Sequence, residues 1–163
     1  MSWIIVSVVV WLVFWLCCYL GTGSDEKNLI GLRSYPDEVI NIVKQQPNLK
    51  VPQDKSIPQI LIGNFVMFTI ICVVIGSVFK EYLHLDSFSQ AFLFFLLLTE
   101  GLGVFDLVVI DLLWWRNTER IRFSFLKDKS YYQNPKKHID SFIRGIPLFV
   151  VVSLVSAWIV NLL

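Results

Sequence analysis

The sequence predicts an all-α polytopic membrane protein, a four-helix transmembrane bundle with short cytoplasmic amphipathic helices, and three observations predict it. The first is composition: 55% of the 163 residues are hydrophobic and 17% are charged, with a mean hydropathy of +0.63. That is more apolar side chain than a soluble domain of this size can hide. The second is the length of the apolar stretches at 3–20, 60–79, 88–115 and 146–163. Each approaches or exceeds the roughly 20 residues needed to cross a ~30 Å hydrocarbon layer. None alternates polar with apolar residues as a strand would, and lipid cannot satisfy backbone groups, so each is expected to be a helix. The third is charge placement. All but Lys80 of the 14 Lys and Arg residues fall in the segments 21–59 and 116–145. The positive-inside rule puts both segments in the cytoplasm and both termini outside the cell membrane, in a single domain covering 1–163.

The first stretch is expected to be a span and not a signal peptide, since no Lys or Arg precedes it and no small-residue cleavage pattern surrounds Cys17–Gly23. Cys17, Cys18 and Cys72 lie in apolar helices with no CxxC spacing and read as packing residues. In the following loop, Pro36 and the acids Asp37 and Glu38 precede Val39, Ile40, Ile42 and Val43, with Pro47 beyond. These signals describe a short amphipathic helix, expected on the membrane surface or on the bundle. Residues 50–58 read as a linker.

The second span opens near Pro58, where a missing N–H costs nothing. Its Cys72 and Gly76, like Ser153 and Ala157 in the fourth, are small residues spaced for close helix approach, within the bundle or in a homodimer. After the third span, Ile121–Phe125 alternates in an extended manner. Asn134-Pro135 marks a turn, and helix resumes at Lys136 to run through Gly145 and Pro147 into the fourth span.

The third span carries the chemistry. Glu100, Asp106 and Asp111 interrupt an otherwise apolar run, and ionisable residues at such depth are functional-site candidates by default. On an α-helix, with Glu100 at 0°, Asp111 falls near about 20° and Asp106 near about 240°, a shared inward arc with Val104, Val108 and Leu112 turned to lipid. The three acids are the catalytic candidates. Arg116, Arg120, Arg122, Trp114 and His138 at the cytoplasmic mouth are the substrate-binding candidates, and Asp106, Asp111 and His138 could together hold a divalent metal.

The run Ser34-Tyr35-Pro36, the pair Asp106 and Asp111, the aromatic pair Trp114-Trp115, Arg120-x-Arg122 and the His shortly before the fourth span resemble a group of small four-pass membrane proteins from Gram-positive bacteria. The resemblance implies the four-span topology and singles out Asp106, Asp111, Arg120, Arg122 and His138 without implying a reaction. Glu100 has no counterpart in it.

Three functions fit these features. The leading expectation is a membrane-embedded enzyme or binding protein acting on an amphiphilic substrate, a lipid or prenyl phosphate, at the cytoplasmic leaflet. A proton- or cation-coupled transport or channel subunit is the second, and an accessory or immunity subunit of a larger membrane complex is the third. Membrane lipid is the expected partner, with a homo-oligomer or larger complex as a further one. Nothing indicates nucleic acid, and no Gly-rich phosphate loop, CxxC set or GxSxG is present.

Overall fold

The computed structural model describes residues 1–53 and 55–163. It is 75% helical with no strand among the described residues. Four helices are long and apolar enough to cross a membrane. In chain order the helices are α1 (Ser2–Leu20), α2 (Asp25–Ile30), α3 (Asp37–Lys44), α4 (Ile57–Val78), α5 (Lys80–Leu83), α6 (Phe88–Phe105) and α7 (Lys136–Leu162). The third apolar stretch is therefore α-helical only as far as Phe105, and Asp106–Trp115 winds on as a π-helix. Local chemistry sets the other ends. Ser56 and Gln59 form a reciprocal capping box ahead of Pro58 at the start of α4, and Asn134 Oδ1 accepts from Lys136 N at 3.0 Å where α7 begins.

Two compact units make up the chain, each with its own core. The first comprises Met1–Trp11, Lys55–Val104 and Ile143–Leu163. Phe94, Phe95, Leu98, Val152, Ala157 and Val160 fill its centre. Both small-residue pairs are buried there. A Cβ on Gly76 would lie 2.6 Å from Phe95 and 2.9 Å from Val160, so only glycine allows that approach. Two of the buried hydroxyls inside are satisfied locally, whereas those of Ser7 and Ser156 bond to no described residue. The hydroxyls of Thr99 and Ser153 donate to carbonyls one turn back, Phe95 O at 2.8 Å and Phe149 O at 2.8 Å, and lie 3.1 Å from each other. Ser7 is the one fully buried residue of α1, Trp3, Val6 and Val10 pack partly buried against this core, and the helix is anchored by its indoles. Trp3 Nε1 donates to Leu83 O at 2.7 Å and Trp11 Nε1 to Leu98 O at 3.0 Å.

The second unit comprises Leu12–Asp54 and Phe105–Phe142. In it the two polar segments fold onto each other around Leu32, Tyr35, Val39, Val43, Trp115, Ile121, Phe123 and Tyr132. The amphipathic helix predicted around Val39–Val43 exists as α3, and both valines are fully buried in this core. The expected alternation over Ile121–Phe125 holds only to Phe123: Ile121 and Phe123 are buried, while Ser124 and Phe125 are both exposed and the backbone there turns. The segment forms a single bridge, Phe123 to Leu126, and no strand. Tyr35 OH donates to Ile121 O at 2.7 Å, and burial raises the phenol above its usual range, keeping the donor proton in place. At the surface Lys137 meets Asp37 at 2.7 Å and holds that carboxyl below the ordinary carboxylate range.

Gly76→Val should destabilise the protein by about 1–3 kcal/mol through overpacking. Gly63→Ala, where a Cβ meets nothing within 4 Å, should change stability by less than about 0.5 kcal/mol. Thermal unfolding of the two variants in detergent checks the contrast.

Candidate functional site

The π-winding over Asp106–Trp115 changes which residues share a face. It bonds i to i+5, as Arg116 N does to Asp111 O at 3.3 Å. Residues five apart diverge by about 140° on an α-helix. The wider π-turn brings them toward one side, so Asp111 comes round toward the face of Asp106. Ten residues of π-helix is long for a form that usually appears as a single turn, and such turns concentrate at functional sites.

Asp111 meets His138. Its Oδ2 accepts from His138 Nδ1 at 2.9 Å, and the Trp115 ring packs against the imidazole at 4.8 Å and 65°. Asn134 and Pro135 make this meeting possible. The Asn134 cap and the bond from Ile139 N to Pro135 O at 3.0 Å start α7 so that His138 stands in its first turn. The imidazole is only 6% exposed, and no described residue bonds to its Nε2, which is buried. A buried polar atom without a partner is costly and calls for an explanation. With the carboxylate holding a proton on Nδ1, the lone pair on Nε2 is the free proton acceptor. A carboxylate bonded to Nδ1 fixes the orientation and tautomer of an imidazole.

The other predicted residues divide by use. Arg120 closes the end of α1. Its Nη2 donates to Tyr19 O at 3.1 Å and Thr22 O at 2.9 Å, and its Cζ sits 3.9 Å above the Tyr19 ring. Gly23, at φ +107°, makes room for it, since a Cβ there would lie 2.7 Å from Nη2. Arg122 donates to Lys127 O at 3.3 Å and lies 3.9 Å from Glu119. Beside these arginines a pocket of about 740 Å³ is lined also by Asp25, Glu26 and Glu119. Three carboxylates against two guanidinium groups make a poor cradle for phosphate. Arg116 is different: it caps the π-helix, and no described residue pairs with its guanidinium, whose Nε is buried. Trp114 packs edge-on against Trp15 at 6.2 Å and lies 6.2 Å from Tyr19, in an aromatic group on α1 and the π-helix.

Among the described residues no three His, Cys, Asp or Glu side chains gather where they could hold a metal ion. Asp106, Asp111 and His138 do not form such a set. The direct bond between Asp111 and His138 already occupies one donor atom of each. Glu100 also departs from expectation. It is half-buried, between Leu97 and Val104, which are 39% and 52% exposed. Ser153 of α7 pairs with Thr99 and not with its neighbour Glu100. No family model, curated protein or solved structure matches the chain.

Arg120→Lys should destabilise the protein by about 1–3 kcal/mol, because an ammonium cannot reproduce the planar stack and the fork to two carbonyls. Thermal unfolding in detergent measures this, and an unchanged midpoint would contradict the clamp.

Proposed function

We propose that this chain is a membrane-embedded enzyme or binding protein for an amphiphilic substrate at the cytoplasmic leaflet, with the Asp111–His138 pair as its acid/base centre. The observation that carries the reading is the buried imidazole tied to a carboxylate through Nδ1 and left unpartnered at Nε2. Such an arrangement suits proton removal from a hydroxyl or water, and its return to a leaving group. Lys and Arg placement supports the cytoplasmic side. Arg116, paired with no described residue and adjacent to the Trp115 that walls the imidazole, is the cation available to an anionic headgroup. Arg120 and Arg122 support the fold in this reading and are not the anion-holding pair. Asp106, five residues earlier on the same helix, takes no part in the pair's proton transfer in this reading.

A second reading is supported by the π-turn itself. Bringing Asp106 and Asp111 toward one face makes a short carboxylate ladder of the kind proton-coupled transport uses. The two readings differ in what Asp106 does. A transporter needs it, whereas an acid/base pair at Asp111 and His138 tolerates Asp106→Asn.

The test uses protein in lipid nanodiscs supplied with a panel of phospholipids and prenyl monophosphates. Headgroup or phosphate release identifies turnover. His138→Gln and Asp111→Asn should each lower it by about 100-fold or more, and the double variant should be no worse than the more impaired single one, as for residues acting as a unit. Activity retained in both single variants, or lost only with Asp106→Asn, would remove the proposal.

A further inference from the structure

The placement of Glu100 points to a partner. In α6 the residues Leu93, Leu97 and Val104 form an exposed stripe, at 54%, 39% and 52%. Glu100 lies three residues after Leu97 and four before Val104, on the margin of that stripe. The next residue, Gly101, is closed off by Trp11, whose ring would be 2.3 Å from a Cβ there. Thr99 on the other side is already bonded to Phe95 O and Ser153. Glu100 therefore has its carboxyl at the edge of the chain's surface, with Oε1 buried and bonded to no described residue.

Its depth makes this costly. Twelve residues separate Glu100 from Phe88 at the start of α6, about 18 Å along the axis, which is well inside a ~30 Å hydrocarbon layer. A carboxyl there, half open to lipid chains, needs a hydrogen-bond donor or a cation beside it. No described residue donates to its Oε1, and the chain has no cation to offer at that depth. All 14 of its Lys and Arg residues lie outside the apolar stretches 3–20, 60–79, 88–115 and 146–163. A second copy of the chain would bring no cation to this face either, since its apolar stretches hold no Lys or Arg. Charge complementarity for the carboxyl thus selects a different protein.

We infer that the α6 face bearing Leu93, Leu97, Glu100 and Val104 docks a transmembrane helix of another membrane protein, one that carries an Arg or Lys side chain at mid-membrane depth. The aliphatic stripe supplies packing on either side of the contact, and the buried Oε1 supplies the acceptor. The inference stands apart from the acid/base reading, since Glu100 contributes nothing to the Asp111–His138 pair.

The probe is a synthetic transmembrane peptide of about 20 Leu and Ala residues with one central Arg, compared with the same peptide carrying Leu at that position. The fluorophore-labelled full-length protein is reconstituted in phosphatidylcholine vesicles, and energy transfer to each labelled peptide is titrated. The Arg peptide should associate about tenfold more tightly than the Leu peptide, the size of an interhelical polar contact in a bilayer. The advantage should vanish with Glu100→Gln. Because the peptide exchange leaves the protein unaltered, the first comparison holds whether or not the variant folds. Equal association of the two peptides would overturn the inference, as would an Arg advantage that survives Glu100→Gln. Protein–protein energy transfer that Glu100→Gln abolishes would also overturn it by assigning the face to a second copy.

Discussion

Helices long and apolar enough to cross a hydrocarbon layer, which offers no hydrogen bonds, have to satisfy their polar atoms from the chain itself, and many of the described polar atoms here do so. Thr99 and Ser153 turn their hydroxyls back onto carbonyls of their own helices. Trp3 and Trp11 use their single N–H groups to fasten α1 to carbonyls elsewhere in its unit. The orphan carbonyls at the end of α1 are taken by Arg120 from the segment after the third long helix. Among the buried atoms bonded to no described residue, which include the hydroxyls of Ser7, Thr69 and Ser156 and the Nε atoms of Arg116, Arg120 and Arg122, His138 Nε2 and Glu100 Oε1 are the two on an imidazole or a carboxyl. Their positions differ enough to imply different uses: one stands beside an oriented carboxylate, the other beside an exposed aliphatic stripe.

The π-winding is the backbone counterpart of those exceptions. An α-helical third stretch would separate Asp106 and Asp111 by about 140° around the axis. A π-helix gathers them instead, at the expense of poorer packing along its own axis. Such a departure persists only where surrounding structure over-determines it. Here Trp115, at the end of the winding, is locked into an aromatic group with Tyr35 at 4.9 Å and Tyr132 at 6.3 Å. The core of the second unit thereby fixes the end of the helix on which Asp111 stands.

Much of this was legible in the residues and some was not. Apolar length and charge placement were sufficient for four membrane-length helices, because those signals are set by solvent and not by neighbours. Asp111 and His138 could be singled out, one as an acid in an apolar run and the other as a histidine before the last long helix, yet their meeting depends on where α7 begins. The Asn134-Pro135 pair marks that start without saying what faces it. The mutual folding of the two polar segments was missed because each looks like an ordinary amphipathic loop. Only Tyr35, Ile121 and Phe123, apolar or aromatic residues in polar surroundings, hinted at a shared core. The π-helix was invisible, since Asp106–Trp115 has no composition that distinguishes it from α-helix. Assuming about 100° per residue therefore misplaced Asp106 relative to Asp111. Glu100 was taken as inward because it falls on the same arc as Asp111, whereas contacts with Trp11 and Ser153 orient that part of α6.

The central claim is that Asp111 holds the proton of His138 on Nδ1 and leaves Nε2 as the free acceptor. Nitrogen-15 spectra of selectively labelled His138 in nanodiscs, at a pH where the ring is neutral, read this directly. The account predicts a protonated Nδ1 and an unprotonated Nε2, with that preference lost in Asp111→Asn. A neutral ring protonated on Nε2, or a tautomer indifferent to Asp111→Asn, would contradict it.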